Sequence, residues 1–81
     1  MSKEQIKDLV MELIVDQLDV KMEELTMETN LMEDLGADSL DIADLVMELE
    51  ERLEVEISDE ELAKLKTVGD IVAYVENIKK D

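Results

Sequence analysis

Ser39 is the side chain with a reaction open to it. It lies in Glu33-Asp34-Leu35-Gly36-Ala37-Asp38-Ser39-Leu40-Asp41, where a loop ends at Gly36 and an apolar-periodic segment begins. Asp38 suits an N-cap, because its carboxylate can accept from the unpaired N–H groups of a first helical turn. Ser39 is then the first helical residue, open to solvent at a helix mouth whose dipole favours a nearby phosphate. A serine nucleophile needs a neighbouring base, and this chain has no His and no Cys. The hydroxyl therefore reads as an acceptor of modification by another enzyme.

The remaining reactive groups are carboxylates, 24 in all. Paired carboxylates can do acid–base work, but no substrate cleft with perturbed acids is foreseen, and dense surface carboxylates are solvated. No catalytic residue is predicted. An EF-hand needs acids at alternate positions, a mid-loop Gly and a terminal Glu; Glu33 to Asp44 does not fit that spacing. Without His or Cys, a zinc or haem site is not expected either. Loose divalent-cation binding at acidic clusters stays open, as relief of repulsion.

The elements that must position Ser39 follow from caps and periodicity. Ser2-Lys3-Glu4-Gln5 reads as a capping box. Ile6, Leu9, Val10, Leu13, Ile14 and Gln17 share one face, giving a first helix from Lys3 to about Leu18, with Val15 on the outer side. From Asp19 to Gly36 no periodicity is sustained, and a connection of that length is unusual unless packed or functional. Val20, Leu25, Leu31, Met32 and Leu35 would anchor it, and Asn30 could cap a single turn. The second helix runs from Asp38 to Arg52 or Leu53. Its main stripe, Ile42, Leu45, Val46, Leu49 and Leu53, should face the core. Leu40 and Met47 fall on the opposite side together with Asp44, Glu48 and Glu51. Either Leu40 packs against the loop, or this acid-rimmed apolar pair is a docking surface for basic partners.

Val55 and Ile57 should tuck into the core from an extended link. Ser58-Asp59-Glu60-Glu61 reads as a second capping box, opening a short third helix to about Lys64 or Leu65. Thr67 caps the last helix, with Val68, Ile71, Val72, Val75 and Ile78 buried and Lys79 and Lys80 in its last turn, where cations suit the dipole. The fold class is all-α: a small antiparallel four-helix bundle of three longer helices and one short helix, with a long ordered loop between helices 1 and 2.

With 81 residues, a single domain over 1–81 is expected. The net charge of −16 argues against nucleic acid and anionic membrane surfaces and suits partners with basic surfaces. It also favours a monomer. An apolar fraction of 46%, arranged periodically, speaks against disorder. No apolar run is long enough to span a bilayer and no signal-peptide pattern is visible, so a cytoplasmic protein is expected.

Asp38-Ser39-Leu40, preceded by Glu33-Asp34-Leu35-Gly36-Ala37, resembles the attachment motif of acyl carrier proteins. The resemblance extends through Asp41 to Glu51, Val55 to Glu61 and Thr67 to Val75, with a weaker match from Ile6 to Val20. It implies a 4′-phosphopantetheine arm from coenzyme A, joined to Ser39 by a phosphodiester and ending in a thiol that holds acyl groups as thioesters. It implies that Asp38 and Asp41 help present Ser39 to a phosphopantetheinyl transferase. The second helix becomes the partner-recognition helix, with Leu40, Asp44, Met47, Glu48 and Glu51, and also Glu50, docking fatty-acid synthesis enzymes through their basic surfaces. An acyl chain could slip between the helices, lined by residues such as Leu45, Val46, Leu49, Leu65 and Ile71. Many members have proline in place of Ser58, so the start of the third helix here should be less rigid. Carriage of polyketide, peptide or D-alanyl groups stays open, as does an unmodified acidic interaction module whose serine is only a cap.

Overall fold

The computed structural model describes residues 2–79. Its helices are α1 (Lys3–Leu18), α2 (Ser39–Leu53), the single turn α3 (Asp59–Leu62) and α4 (Val68–Ile78), with a turn of 3-10 helix at Met22–Glu24 in the first loop. The all-α bundle of three longer helices and one short one is as expected. The 3-10 turn was not anticipated.

Capping side chains start the helices. Ser2 Oγ accepts from the Gln5 N–H at 3.2 Å and Gln5 Oε1 accepts from the Ser2 N–H at 2.9 Å, a complete box. At α4, Thr67 Oγ1 accepts from the Asp70 N–H at 3.0 Å, while Asp70 Oδ2 accepts from the Thr67 and Lys66 N–H groups, each at 3.1 Å. Those two backbone bonds hold the Asp70 carboxyl below its ordinary value. The box at α3 is only half made. Ser58 Oγ accepts from the Glu61 N–H at 3.3 Å, but Glu61 turns to Lys64, 3.7 Å away. That helix stops at Leu62, short of the expected Lys64 or Leu65, because Lys64 and Leu65 donate to carbonyls only three residues back. Lys79 is the C-cap of α4, one residue past its last turn, and Lys80 lies outside the described residues.

Helix α1 packs against both α2 and α4. Ile6, Val10, Leu13 and Ile14 of α1 meet the α2 stripe (Ile42, Leu45, Val46, Leu49, Leu53) and Val68, Ile71, Val72 and Val75 of α4, all buried. Serving two neighbours widens and turns the buried arc of α1. Met11 is buried and Val15 half-buried, whereas Gln17 is exposed and Leu9 half-buried. Ile78 is half-buried at the end of α4. Ile57 is buried and Val55 packs partly against the core, as expected of the link.

The long loop is ordered because it is stitched to the start of α4. Leu31 N–H donates to the Lys66 carbonyl at 3.0 Å, Val68 N–H to Thr29 at 3.0 Å and Gly69 N–H to Met27 at 2.8 Å. Asn30 and Thr67 form an isolated antiparallel bridge. Gly69 permits this contact: a β-carbon there would lie 2.7 Å from the Met27 carbonyl oxygen. Leu25 and Leu31 are buried, with Val20 and Leu35 packed against the core. Met32, expected as an anchor, is instead 50% exposed. Asn30 Oδ1 caps the turn that follows, accepting from the Met32 and Glu33 N–H groups at 3.0 and 2.9 Å.

Candidate functional site

The turn into α2 fixes the position of Ser39. Gly36 has φ +71°, a left-handed conformation that side chains oppose even though no atom would crowd a β-carbon there. Ala37 follows, buried, with its N–H donating to the Leu31 carbonyl at 3.0 Å. Asp38 is extended, with Oδ1 accepting from the Asp41 N–H at 2.9 Å. Asp41 Oδ2 accepts in return from the Asp38 N–H at 3.2 Å. Asp41 therefore closes a capping box around the serine, a role that the Asp-Ser-Leu spacing alone did not reveal.

Ser39 is the first residue of α2 and is exposed. Its hydroxyl has no hydrogen-bond partner among the described residues, and the same holds for the N–H groups of Ser39 and Leu40. A phosphodiester on Ser39 Oγ would thus meet two open backbone donors at a helix N-terminus, a favourable setting for an anion. The carboxylates of Asp38 and Asp41 oppose that attraction, and both are already engaged with backbone N–H groups. The residues present fit such a group.

Beside the hydroxyl opens a cleft of about 350 Å³. Ser39 and Ile42 line it from α2, Met32 and the polar Asn30 and Glu33 from the loop. Leu62, Ala63, Leu65 and Lys66 complete it from α3 and the turn beyond. Of the five residues expected to line an acyl pocket, Leu65 lines this cleft. Leu45, Val46, Leu49 and Ile71 are buried in the packed core, facing other helices and not the cleft. The periodic stripe identified buried residues without separating packed positions from those left open. Ile42, in the first turn after Ser39, was the stripe member whose nearness to the hydroxyl could have been read. Nothing local marked Leu62 or Lys66, which reach the site through the fold.

The outer side of α2 presents a second surface. Leu40 is 73% exposed and Met47 58% exposed, so Leu40 does not pack against the loop. Asp44 and Glu51 are exposed beside them and Glu48 is half-buried. Glu50 is tied elsewhere: its carboxylate accepts from the Ile57 N–H at 3.0 Å and holds the link onto α2.

Residues 8–75 match the family model for a phosphopantetheine attachment site. The chain is 53% identical over 74 residues to an acyl carrier protein of Wolinella succinogenes, an alignment spanning 91% of this chain and 97% of that one. It is 47% identical over 79 residues to an acyl carrier protein of Akkermansia muciniphila, spanning 98% and 99% of the two chains. The solved acyl carrier protein of Enterococcus faecalis superposes with a TM-score of 0.82 at 35% identity, covering 95% of this chain and 98% of that one.

Proposed function

This chain belongs to the acyl carrier protein family, and from that premise we propose that Ser39 carries the arm and that its cargo is the growing acyl chain of fatty-acid synthesis. Members are carriers and not catalysts, and bear 4′-phosphopantetheine covalently. The arm supplies a terminal thiol on which acyl groups are held as thioesters. The observation that supports Ser39 is its unpartnered, exposed hydroxyl at the first position of α2, beside an apolar cleft.

The chain's own residues then divide the work. The Asp38–Asp41 box fixes the backbone so that the hydroxyl faces outward. Ile42, Leu62 and Leu65 offer an apolar wall to the arm or the first part of an alkyl chain. Leu40 and Met47, rimmed by Asp44, Glu48 and Glu51, give a basic partner an apolar contact surrounded by charge, while the net charge of −16 speeds the encounter. The partners are a phosphopantetheinyl transferase and the fatty-acid synthesis enzymes. The same charge supports a monomer, acting in the cytoplasm as a single carrier domain over residues 1–81. No helix among the described residues is long and apolar enough to cross a membrane.

Incubation with coenzyme A and a phosphopantetheinyl transferase tests this reading. Ser39 oxygen gains the phosphopantetheine phosphate, the adenine nucleotide half of coenzyme A leaves, and intact mass rises by one arm. Ser39→Ala should abolish the gain with the helical circular dichroism unchanged; a mass gain in that variant moves the attachment elsewhere. In the same assay, Asp44→Lys with Glu48→Lys should slow loading several-fold at low salt, with the deficit shrinking as salt screens the charges. Equal rates at low salt remove the docking role.

A further inference from the structure

We propose that the Lys66 ammonium holds the phosphodiester of the arm at Ser39 and so keeps the first part of the arm against the cleft; this rests on Ser39 being the attachment point. Lys66 and Ser39 line the same space of about 350 Å³, and a four-carbon lysine stem can sweep much of a cleft that small. The backbone of Lys66 is pinned at both ends. Its N–H donates to Asp70 Oδ2 at 3.1 Å and its carbonyl accepts from the Leu31 N–H at 3.0 Å. The side chain therefore starts from a fixed point at the rim.

Charge makes the pairing specific. Among the described residues, the ion pair within 4.0 Å is Lys64 with Glu61, which leaves the Lys66 ammonium without a carboxylate at that distance. Near the hydroxyl lie the carboxylates of Asp38 and Asp41 and, from the loop, Glu33; the Asp70 carboxylate lies beside the Lys66 backbone and also feels the Lys66 charge, though beyond ion-pair distance. An anion joined to Ser39 is placed among like charges, and Lys66 is the cation among the residues lining the cleft. A compact ammonium suits a phosphate oxygen at such a rim. This position also explains how the chain tolerates one more negative group where carboxylates are already crowded.

Lysine side-chain NMR, on protein before and after loading with coenzyme A and the transferase, tests the pairing. In the loaded protein the Lys66 side-chain resonances should move from their unloaded positions, and the change should shrink as salt screens the pair. The resonances of Lys3 and Lys7, on α1, should stay where they were. The phosphorus resonance of the arm should move as salt rises, and Lys66→Gln, loaded to the same mass, should lose most of that movement. A protein that gains the arm but leaves the Lys66 resonances unchanged overturns this inference alone. A protein that gains no mass has no phosphodiester, and overturns the Ser39 reading together with it.

Discussion

Helices α2 and α3 both line the cleft beside Ser39, yet α2 buries five side chains and α3 none. The start of α2 is closed by a reciprocal box and its interior is locked by fully buried Leu45 and Leu49. Helix α3 is a single turn with half a box, and an isolated turn contributes little stability of its own. The cleft thus has a fixed side, which carries the hydroxyl, and a yielding side. On the proposed function, the fixed side would present Ser39 identically to every partner, while the yielding side would give room to cargo of changing length.

The sharpest way to expose the difference is to cut a leucine from each side. Leu49→Ala should cost about 3 kcal/mol, as fully buried Leu→Ala changes do. Leu62→Ala, from a half-buried position, should cost under about 1 kcal/mol. Urea unfolding measures both, and equal losses would dissolve the contrast. Cargo should act on the yielding side. Each CH₂ that enters the cleft contributes about 0.8 kcal/mol before the opening cost, so a medium acyl chain should raise the melting temperature of the protein above that of the form with the bare arm. No upward shift would mean that the chain stays outside.

Capping gives a finer test. Asp38→Ala should lose roughly 1 kcal/mol, because it leaves the Asp41 N–H without its carboxylate acceptor at the start of a long helix. Ser58→Ala should lose less, since one bond at the head of one turn is all it removes. The smallest effect belongs to Asp70. Its carboxyl is held below the ordinary value by the Thr67 and Lys66 N–H groups. Its stabilising contribution is therefore complete above the ordinary carboxylate value of 3.8 and is lost as pH falls from there through the lowered one. Acid should loosen the turn from Ala63 to Thr67 while α2 still holds. Amide exchange near that lower limit checks the order of opening, and Asp70→Asn should close the gap to the parent as pH falls through the same range.

Local signals in the sequence carried most of the helical frame. Ser2, Asp38 and Thr67 mark helix starts because a short polar side chain bonds the amides of the turn that follows it. The α2 stripe was legible because one helix against one core leaves one face apolar. Helix α1 departs from the single face its periodicity predicts, with Met11 buried, Val15 half-buried and Gln17 exposed, because it answers to two neighbours at once. The stitching of Met27, Thr29 and Leu31 onto residues 66–69 joins positions some 35 to 42 apart, as the numbering of each pair gives, and such contacts leave no periodic trace. Spacing located the serine and put Leu40 and Met47 on the outer side of α2, while the structure decides that Leu40 is exposed there. Most of the lining of the cleft could not, because Lys66 and Met32 reach it through that stitching.

One omitted methyl group has reach beyond its own position. With nothing on its α-carbon, Gly69 lets the chain at Met27 lie against the opening of α4, and Asn30 to Glu33 continue directly from there into the rim of the cleft. Any bulk added at that joint would be passed along a few residues of backbone as a displacement of the rim. The dimensions of the cleft are thereby set partly by a residue outside its lining.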